Sequence, residues 1–144
     1  MYDPVGSTFL VSESWTRTQK QGLSALVVFY GDPADGRDLQ IFRLEEETPA
    51  DSLNAAENGP GFGFARQPGY TSLDRDAGTT WAELTYRYDD EDKGRRTVID
   101  HRFQADDGEL YAMRASDPET RPLALIREPL VTALSSFCAA RASC

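Results

Sequence analysis

Basic charge is scarce in this sequence. Its 144 residues carry 15 lysines and arginines against 24 aspartates and glutamates, which gives a formal net charge of −9. Only Lys20 and Lys93 are lysines. A nucleic-acid interface needs clustered basic residues to neutralise phosphates, and an anionic membrane surface attracts basic segments. The charge balance therefore argues against nucleic acid as a partner and against docking on a membrane surface.

Long hydrophobic runs are also missing. The longest covers residues 26–30, which is the length of a β-strand and far short of the about 18–20 residues of a membrane span. The first four residues, Met-Tyr-Asp-Pro, lack the basic start and apolar core of a signal peptide. Because domain-like sequence follows almost at once, we expect residues 1–144 to form a single domain taken from a longer, membrane-tethered protein.

The sequence has two cysteines, Cys138 and Cys144, and one histidine, His101. These three residues cannot supply the four soft ligands of a structural zinc site, so we expect no metal and no cofactor. A disulfide between the cysteines closes a small loop, which the chain-entropy model values at roughly 2–2.5 kcal/mol. We favour this disulfide, which implies an oxidising compartment. Two unpaired thiols are the alternative.

Hydrophobic periodicity predicts the elements of the domain. Strands are predicted at residues 7–12, 25–31, 37–44, 69–76, 80–88, 95–105 and 109–116. One helix begins with Thr48 as its N-cap and Pro49 at its first position, and ends near Asn58. A second covers residues 123–137, where Pro129 either kinks the helix or starts a new one, at lower cost. The order predicts an α+β domain with an antiparallel sheet flanked by helices.

The strands predicted at residues 80–88, 95–105 and 109–116 are joined by tight turns and predict an antiparallel meander. Its middle strand shows which residues share a face. Ile99 and Phe103 lie on an apolar side, while Asp100, Arg102 and Gln104 alternate with them. We expect the apolar side to be buried and the other to be partly wet or under polar cover.

His101 is the only residue that could serve as the base of a Ser-His-Asp hydrolase. It lies mid-strand on the apolar side, where a core or half-buried structural histidine is the simpler interpretation. The sequence has no G-x-S-x-G motif to supply a nucleophile. We therefore predict no catalytic residue, and keep a small hydrolase using His101 with nearby carboxylates as the alternative function.

Two turns carry residue types that other proteins use to hold ligands. The glycine-aromatic segment at residues 59–64 lacks the G-K-[ST] of a phosphate loop, so we expect a flexible surface loop. The alternative is that its aromatic residues form the lid or rim of a pocket. The acidic turn at residues 89–92 lacks the spacing of an EF-hand loop, so we expect a solvated turn, with cation binding as the alternative.

Seven short motifs follow one another along nearly the whole chain. They are Tyr-Asp-Pro-Val-Gly at residues 2–6, Ser-Trp at 14–15, a strand–turn–strand unit at 27–41, Glu-Leu-Thr-Tyr at 83–86, Arg-Phe at 102–103, Leu-Tyr-Ala-Met at 110–113 and Ala-Leu-Ser-Ser-Phe at 133–137. Their order resembles the Mog1/PsbP-like domains of actinobacteria. Such domains occur as secreted lipoproteins and as extracytoplasmic domains of transmembrane Ser/Thr protein kinases. The chain departs from the family pattern just before Glu83. The family has an aromatic residue at the position of Ala82, whereas the aromatic residue of this chain, Trp81, lies one position earlier.

The resemblance implies a six- or seven-stranded antiparallel sheet between helices, an α/β/α sandwich with a non-catalytic role. It carries over no binding residues, so the binding surface stays unassigned. We expect an extracytoplasmic sensor or interaction domain that binds an unidentified small molecule or protein in the cell envelope. The sensor part of a Ser/Thr protein kinase is one form of this hypothesis. No oligomeric state is predicted.

Overall fold

The computed structural model describes residues 16–21, 26–32, 36–44, 46–59, 63–105 and 107–137. The predicted strand at residues 7–12 and both cysteines, Cys138 and Cys144, lie outside the described residues, so the disulfide stays a prediction. Among the helices of the described part, none has the length and apolar character needed to cross a membrane.

The described residues form seven strands and two α-helices, which follow the predicted order closely. The strands are β1 (Thr16–Gln21), β2 (Leu26–Asp32), β3 (Arg37–Leu44), β4 (Thr71–Ala77), β5 (Trp81–Asp90), β6 (Gly94–Gln104) and β7 (Leu110–Pro118). The helices are α1 (Pro49–Asn58) and α2 (Leu123–Ser135), with a short 3-10 helix at Phe64–Arg66.

All seven strands pair antiparallel in one sheet of order β1-β2-β3-β7-β6-β5-β4. Strands β1–β3 form one meander and β4–β7 form a second. The last strands of the two meanders, β3 and β7, pair side by side, from Asp38 opposite Ser116 to Leu44 opposite Leu110. Gly94 begins β6 at φ 77°, a left-handed conformation that glycine adopts at little cost and that suits the tight turn after β5.

The two helices cover opposite faces of this sheet. Leu53 of α1 belongs to one buried cluster with Val98, while Ile126 and Leu130 of α2 belong to another with Ile99. Val98 and Ile99 are neighbours in β6, and successive strand residues point to opposite faces. The arrangement is an α+β sandwich of helix, sheet and helix, which confirms the predicted fold class.

Helix α1 covers the sheet face that carries charged residues. Asp100 is 0% exposed and Arg102 is 4% exposed. Arg102 Nη1 donates to Ser52 Oγ of α1 at 2.8 Å, so this face is covered rather than wet. Charged side chains are almost never fully buried unless they are paired. Here Asp100 and Arg102 pair within β6, and Arg114 of β7 and Ser52 of α1 add further contacts.

Strand β1 is the described strand that the sequence pattern did not predict. It pairs with β2 from Thr16 opposite Gly31 to Gln21 opposite Leu26. Its six residues are all polar, so no alternation of apolar and polar residues marks it as a strand. Its conformation therefore follows from pairing with β2 at the edge of the sheet.

Pro129 lies inside the continuous helix α2, so the break that we expected after Glu128 does not occur. Proline has no N–H, which leaves the carbonyl of Leu125 without its helical partner. Arg37 Nη2 donates to that carbonyl at 3.1 Å and supplies the missing hydrogen bond. A contact from β3 thus compensates for an unfavourable residue in the helix.

The predicted start of α1 is confirmed. Thr48 Oγ1 accepts a hydrogen bond from the Asp51 N–H at 3.1 Å, and Pro49 opens the helix. We expect Thr48→Ala to lower the free energy of unfolding by about 1 kcal/mol, because an N–H at the helix start loses its acceptor. Urea unfolding measures the change. Thr48→Ser keeps the hydroxyl and should stay close to wild type; equal losses in both variants would contradict this role.

Candidate functional site

A cavity of about 320 Å³ lies on the face of the sheet that α1 covers. We call it the arginine cavity. Its polar lining consists of Gln40, Gln67, Tyr86, Tyr88, Arg102, Arg114 and Ser116. Its apolar lining consists of Ala56, Phe64 and Val98. The volume is at the lower end of the about 300–1,000 Å³ of small-molecule sites, so the cavity has the size of a small ligand.

A buried carboxylate, Asp100, holds the two arginines of this cavity together. Arg102 Nε and Nη2 donate to its two oxygens at 2.9 and 3.1 Å. Arg114 Nε lies 3.1 Å from Asp100 Oδ2. Two guanidinium groups therefore share one carboxylate, and the bidentate pair together with Ser52 holds Arg102 in place.

Arg114 connects the ion cluster to the tyrosines of the cavity. Its Nη2 donates a hydrogen bond to Tyr86 Oη. Burial raises the pKa of Tyr86, while burial together with Asp90 raises the pKa of Tyr88 to about 12. Burial by itself lowers the pKa of Arg114, but Tyr86 and Asp100 more than offset it. At neutral pH the tyrosines are thus protonated and Arg114 is charged.

Phe64 forms an aromatic wall of the arginine cavity. Its ring stacks on that of Tyr86 with centroids 4.3 Å apart and an angle of 4° between the planes. The guanidinium carbon of Arg114 lies 5.7 Å from the Phe64 centroid. Residues 60–62 of the predicted surface loop lie outside the described residues, but Phe64 at its end is buried and lines the pocket.

A second ion cluster continues the charged row across the sheet. The buried Arg96 donates from Nε and Nη2 to Ser116 Oγ at 3.1 and 2.9 Å, and from Nη2 to Asp38 Oδ2 at 3.2 Å. Burial raises the pKa of Asp38, against the opposing effect of Arg96. This cluster ties β3, β6 and β7 together at the end of the cavity that Ser116 lines.

The predicted candidate His101 lies on the opposite face, in a groove of about 460 Å³. We call this the histidine groove; Trp81, Phe103, Leu134 and Phe137 line it as well. The His101 side chain is 14% exposed, and its Nδ1 lies 3.2 Å from Glu83 Oε1. Its ring stacks on Trp81 with centroids 5.5 Å apart. His101 is thus half-buried, at the border of the core.

Glu83 is shared between His101 and a residue of α2. Arg127 Nη1 donates to both Glu83 oxygens, at 3.1 and 3.0 Å. Burial by itself raises the pKa of Glu83, but the hydrogen bonds from His101 and Arg127 lower it below its ordinary value. Within the described ranges no hydroxyl or thiol is paired with the His101 ring, so the constellation there is a histidine–carboxylate–arginine triplet.

The lowered pKa of Glu83 predicts a contribution to stability that depends on pH. Because folding favours the ionised carboxylate, its contribution is complete above the ordinary pKa of 4.5 and is lost as pH falls through the lower folded value. We expect wild type to lose more unfolding free energy than Glu83→Gln between about pH 5 and pH 3. Urea unfolding across this range measures it. The exposed Glu91→Gln should behave like wild type, and identical pH profiles for wild type and Glu83→Gln would refute the expectation.

The acidic turn between β5 and β6 uses its carboxylates on the turn itself. Asp90 Oδ1 accepts the N–H groups of Asp92 and Lys93 at 2.9 and 3.0 Å, and Asp89 pairs with Arg95 at 3.0 Å. Across the residues that the structure describes, no group of three or more histidine, cysteine, aspartate or glutamate side chains is placed to hold a metal ion.

Sequence reasoning assigned no binding residue, and of the arginine cavity it anticipated only an aromatic residue from the segment at 59–64, in the alternative that this segment forms the rim of a pocket. Its lining comes from α1, the 3-10 helix and four strands, which are distant in the chain. The available signal was the pair Asp100 and Arg102, two residues apart on a strand and therefore on one face. That signal indicates an ion pair but gives no sign of the space beside it.

Comparison with known proteins identifies a matching family and a solved structure with a similar fold. The model of a family described as the serine/threonine kinase C-terminal domain matches residues 1–139. The crystal structure of LpqN, a protein involved in cell envelope biogenesis of Mycobacterium tuberculosis, is similar with a TM-score of 0.52. That alignment has 16% sequence identity and covers 94% of this chain and 84% of LpqN, so the likeness concerns the fold. No curated protein matches significantly.

The family match covers nearly the whole chain and is therefore not confined to one short motif. Together with the LpqN fold, it agrees with the resemblance to kinase-associated Mog1/PsbP-like domains. The chain belongs to the family of serine/threonine kinase C-terminal domains.

Proposed function

We propose that this domain is a non-catalytic, extracytoplasmic binding domain and that it acts as the sensor part of a Ser/Thr protein kinase. Its family membership supports the link to a kinase. Its fold is shared with a protein of envelope biogenesis, which supports a place in the envelope. The observation that carries the proposal is the arginine cavity, which offers a binding site of small-molecule size.

The arginine cavity is unfavourable for stability, which would serve no purpose in a domain whose role is only structural. Buried charges contribute little to stability compared with apolar residues that fill the same space. Here two arginines and two tyrosines line open space beneath α1 instead of filling it. Such an arrangement is typical of a binding site, where a few polar groups converge in a partly apolar pocket.

The location outside the cytoplasm is tested by chemical labelling of the full-length protein in intact cells. In a background with Cys138 and Cys144 replaced by serine, Val131→Cys should react with a membrane-impermeant maleimide, since Val131 is 51% exposed. Leu130→Cys is the matched control, because Leu130 is 0% exposed and should not react. Reaction of Val131→Cys only after cell lysis would contradict an extracytoplasmic location.

The proposed disulfide gives an independent test of the compartment. Protein purified without reductant should contain no titratable thiol, because Cys138 and Cys144 pair in an oxidising compartment. Reduction under denaturing conditions should then release two thiols. Two titratable thiols in denatured protein from an oxidising host, measured before reduction, would remove this support.

A hydrolase that uses His101 remains the second candidate, and the contact between His101 and Glu83 favours it. Against it, Arg127 holds both oxygens of Glu83, and none of the described hydroxyl groups pairs with the histidine. The test is ester hydrolysis by wild type and by His101→Gln. A rate above the buffer background that falls at least tenfold in the variant would favour an enzyme.

A further inference from the structure

The arginine cavity has an excess of positive charge, although the whole chain is acidic. Two of its ten lining residues are arginines, and none is an aspartate or glutamate. Asp100 lies beneath them and contacts both guanidinium groups, so it balances one of the two positive charges. Asp38 also acts on Arg114, but it pairs with Arg96. The three arginines Arg96, Arg102 and Arg114 thus face two carboxylates, and one positive charge is left over.

Arg114 is the arginine that can reach a ligand. Its Nε lies against Asp100 and its Nη2 donates to Tyr86, while none of its contacts within the described residues uses Nη1. Arg102, in contrast, uses Nε, Nη1 and Nη2 on Asp100 and Ser52. Arg102 thus acts as the rigid support, and Arg114 presents N–H groups to the cavity.

Tyr86 adds a second donor beside Arg114. Its oxygen accepts the hydrogen bond from Arg114, and among the described residues its own O–H proton has no acceptor. A ligand oxygen beside this pair can accept from Arg114 Nη1 and from the Tyr86 O–H. Charge-assisted donors of this kind recognise carboxylate and phosphate oxygens with good geometry.

The rest of the lining suits a group without charge. Phe64, Val98 and Ala56 are apolar, and Tyr88 adds an aromatic ring. The volume of about 320 Å³ fits a ring-sized group together with one anionic group.

We infer that the arginine cavity binds a small organic anion, in which a carboxylate or phosphate group meets Arg114 and Tyr86 and an apolar, ring-sized group lies against Phe64 and Tyr88. This inference rests on the proposed binding function and adds the chemical class of the ligand.

Isothermal titration calorimetry of the purified domain with three probes tests it. Benzoate and phenyl phosphate carry the two anionic groups on the same ring, and benzyl alcohol is the neutral control. We expect at least one anion to bind at least tenfold more tightly than benzyl alcohol. Benzoate against phenyl phosphate shows which anionic group the cavity prefers. Equal binding of benzyl alcohol, or no binding of any probe up to about 10 mM, would overturn the inference.

Two neighbouring positions on α1 provide a matched pair of variants. Ala56 lines the cavity, whereas Ala55 is exposed and does not line it. Ala56→Leu places three extra carbons in the cavity and should weaken binding of the anion at least tenfold. Ala55→Leu makes the same chemical change outside and should bind like wild type. Equal affinities of these two variants would show that the anion binds elsewhere.

Two further variants test the donors themselves. Arg114→Gln removes the charge and should weaken anion binding at least tenfold, while Arg127→Gln removes an arginine from the opposite face and should leave it unchanged. Tyr86→Phe keeps the stacked ring and removes the O–H, so it gives a readout even if Arg114→Gln folds poorly. Unchanged affinity in Tyr86→Phe, or a folded Arg114→Gln that binds the anion like wild type, would overturn the assignment.

The outcomes for the two proposals are separable. Failure of all anions, with Val131→Cys still labelled in intact cells, would remove the ligand class and leave the extracytoplasmic location. Anion binding with labelling only after lysis would support the ligand class and remove the location.

Discussion

Replacement of Asp100 with asparagine is expected to lower the free energy of unfolding by about 3–5 kcal/mol. Asp100 is fully buried, and its two oxygens receive contacts from Arg102 and Arg114 at 2.9–3.1 Å. Asparagine is neutral and turns an NH₂ group toward the guanidinium groups, so the buried Arg102 and the half-buried Arg114 lose their counter-ion. A domain of this size has a total stability of about 5–15 kcal/mol, so the expected loss is a large fraction of the free energy of unfolding.

Urea unfolding of Asp100→Asn and of a matched variant measures this effect. Asp89→Asn makes the same change at an exposed carboxylate that pairs with Arg95, and should cost less than about 1 kcal/mol. A loss below about 1 kcal/mol for Asp100→Asn would mean that the arginines find other partners or water, and would refute the role of Asp100 as their counter-ion.

Leu130→Ala is expected to lower the free energy of unfolding by about 2–5 kcal/mol. Leu130 lies in α2 and is buried in the cluster that includes Leu39, Ile99 and Met113 of the sheet. Removing its three outer carbons loses apolar burial and leaves a cavity between helix and sheet. The range is wide because the cost depends on how far α2 can move toward the sheet.

The next residue in α2 supplies the control. Val131 is largely exposed, and Val131→Ala should change the free energy of unfolding by no more than about 0.5 kcal/mol. Alanine has a higher helix propensity than leucine or valine, so propensity opposes a loss in both variants and the loss in Leu130→Ala reports packing against the sheet. Similar losses for both variants would show that α2 does not pack on the sheet through Leu130.

The sequence patterns predicted most elements because their signals are local. Apolar runs, alternation and turn residues together marked six of the seven described strands, and Thr48 with Pro49 marked the start of α1. Strand β1 was missed because all of its residues are polar and its conformation depends on pairing with β2. At Pro129 the favoured alternative, a new helix after Glu128, was wrong for a related reason, since the hydrogen bond from Arg37 that compensates for the proline comes from β3.

The candidate sites also combine features that the local sequence predicts with contacts that depend on other elements of the fold. Position on the strand correctly placed His101 on the apolar face, but its contact with Glu83 and Arg127 needed β5 and α2. The arginine cavity itself was not predicted, although Phe64 in its lining agrees with the alternative that aromatic residues of the segment at 59–64 form the rim of a pocket. Asp100 and Arg102 are ordinary surface residues by type, and only the cover by α1 makes them a buried cluster beside a pocket.

The sequence by itself determined the acidic charge, the α+β class, the three-stranded meander at residues 80–116 and the two faces of its middle strand. These features depend on composition and on hydrophobic residues that recur every two residues in strands or every 3.6 residues in helices, so they can be recognised within a short segment. Only the tertiary structure decided that β3 pairs with β7, that α1 covers the charged face, and that Arg114 and Tyr86 meet beside open space. Such contacts join segments far apart in the chain, so their energies appear only once the sheet has formed.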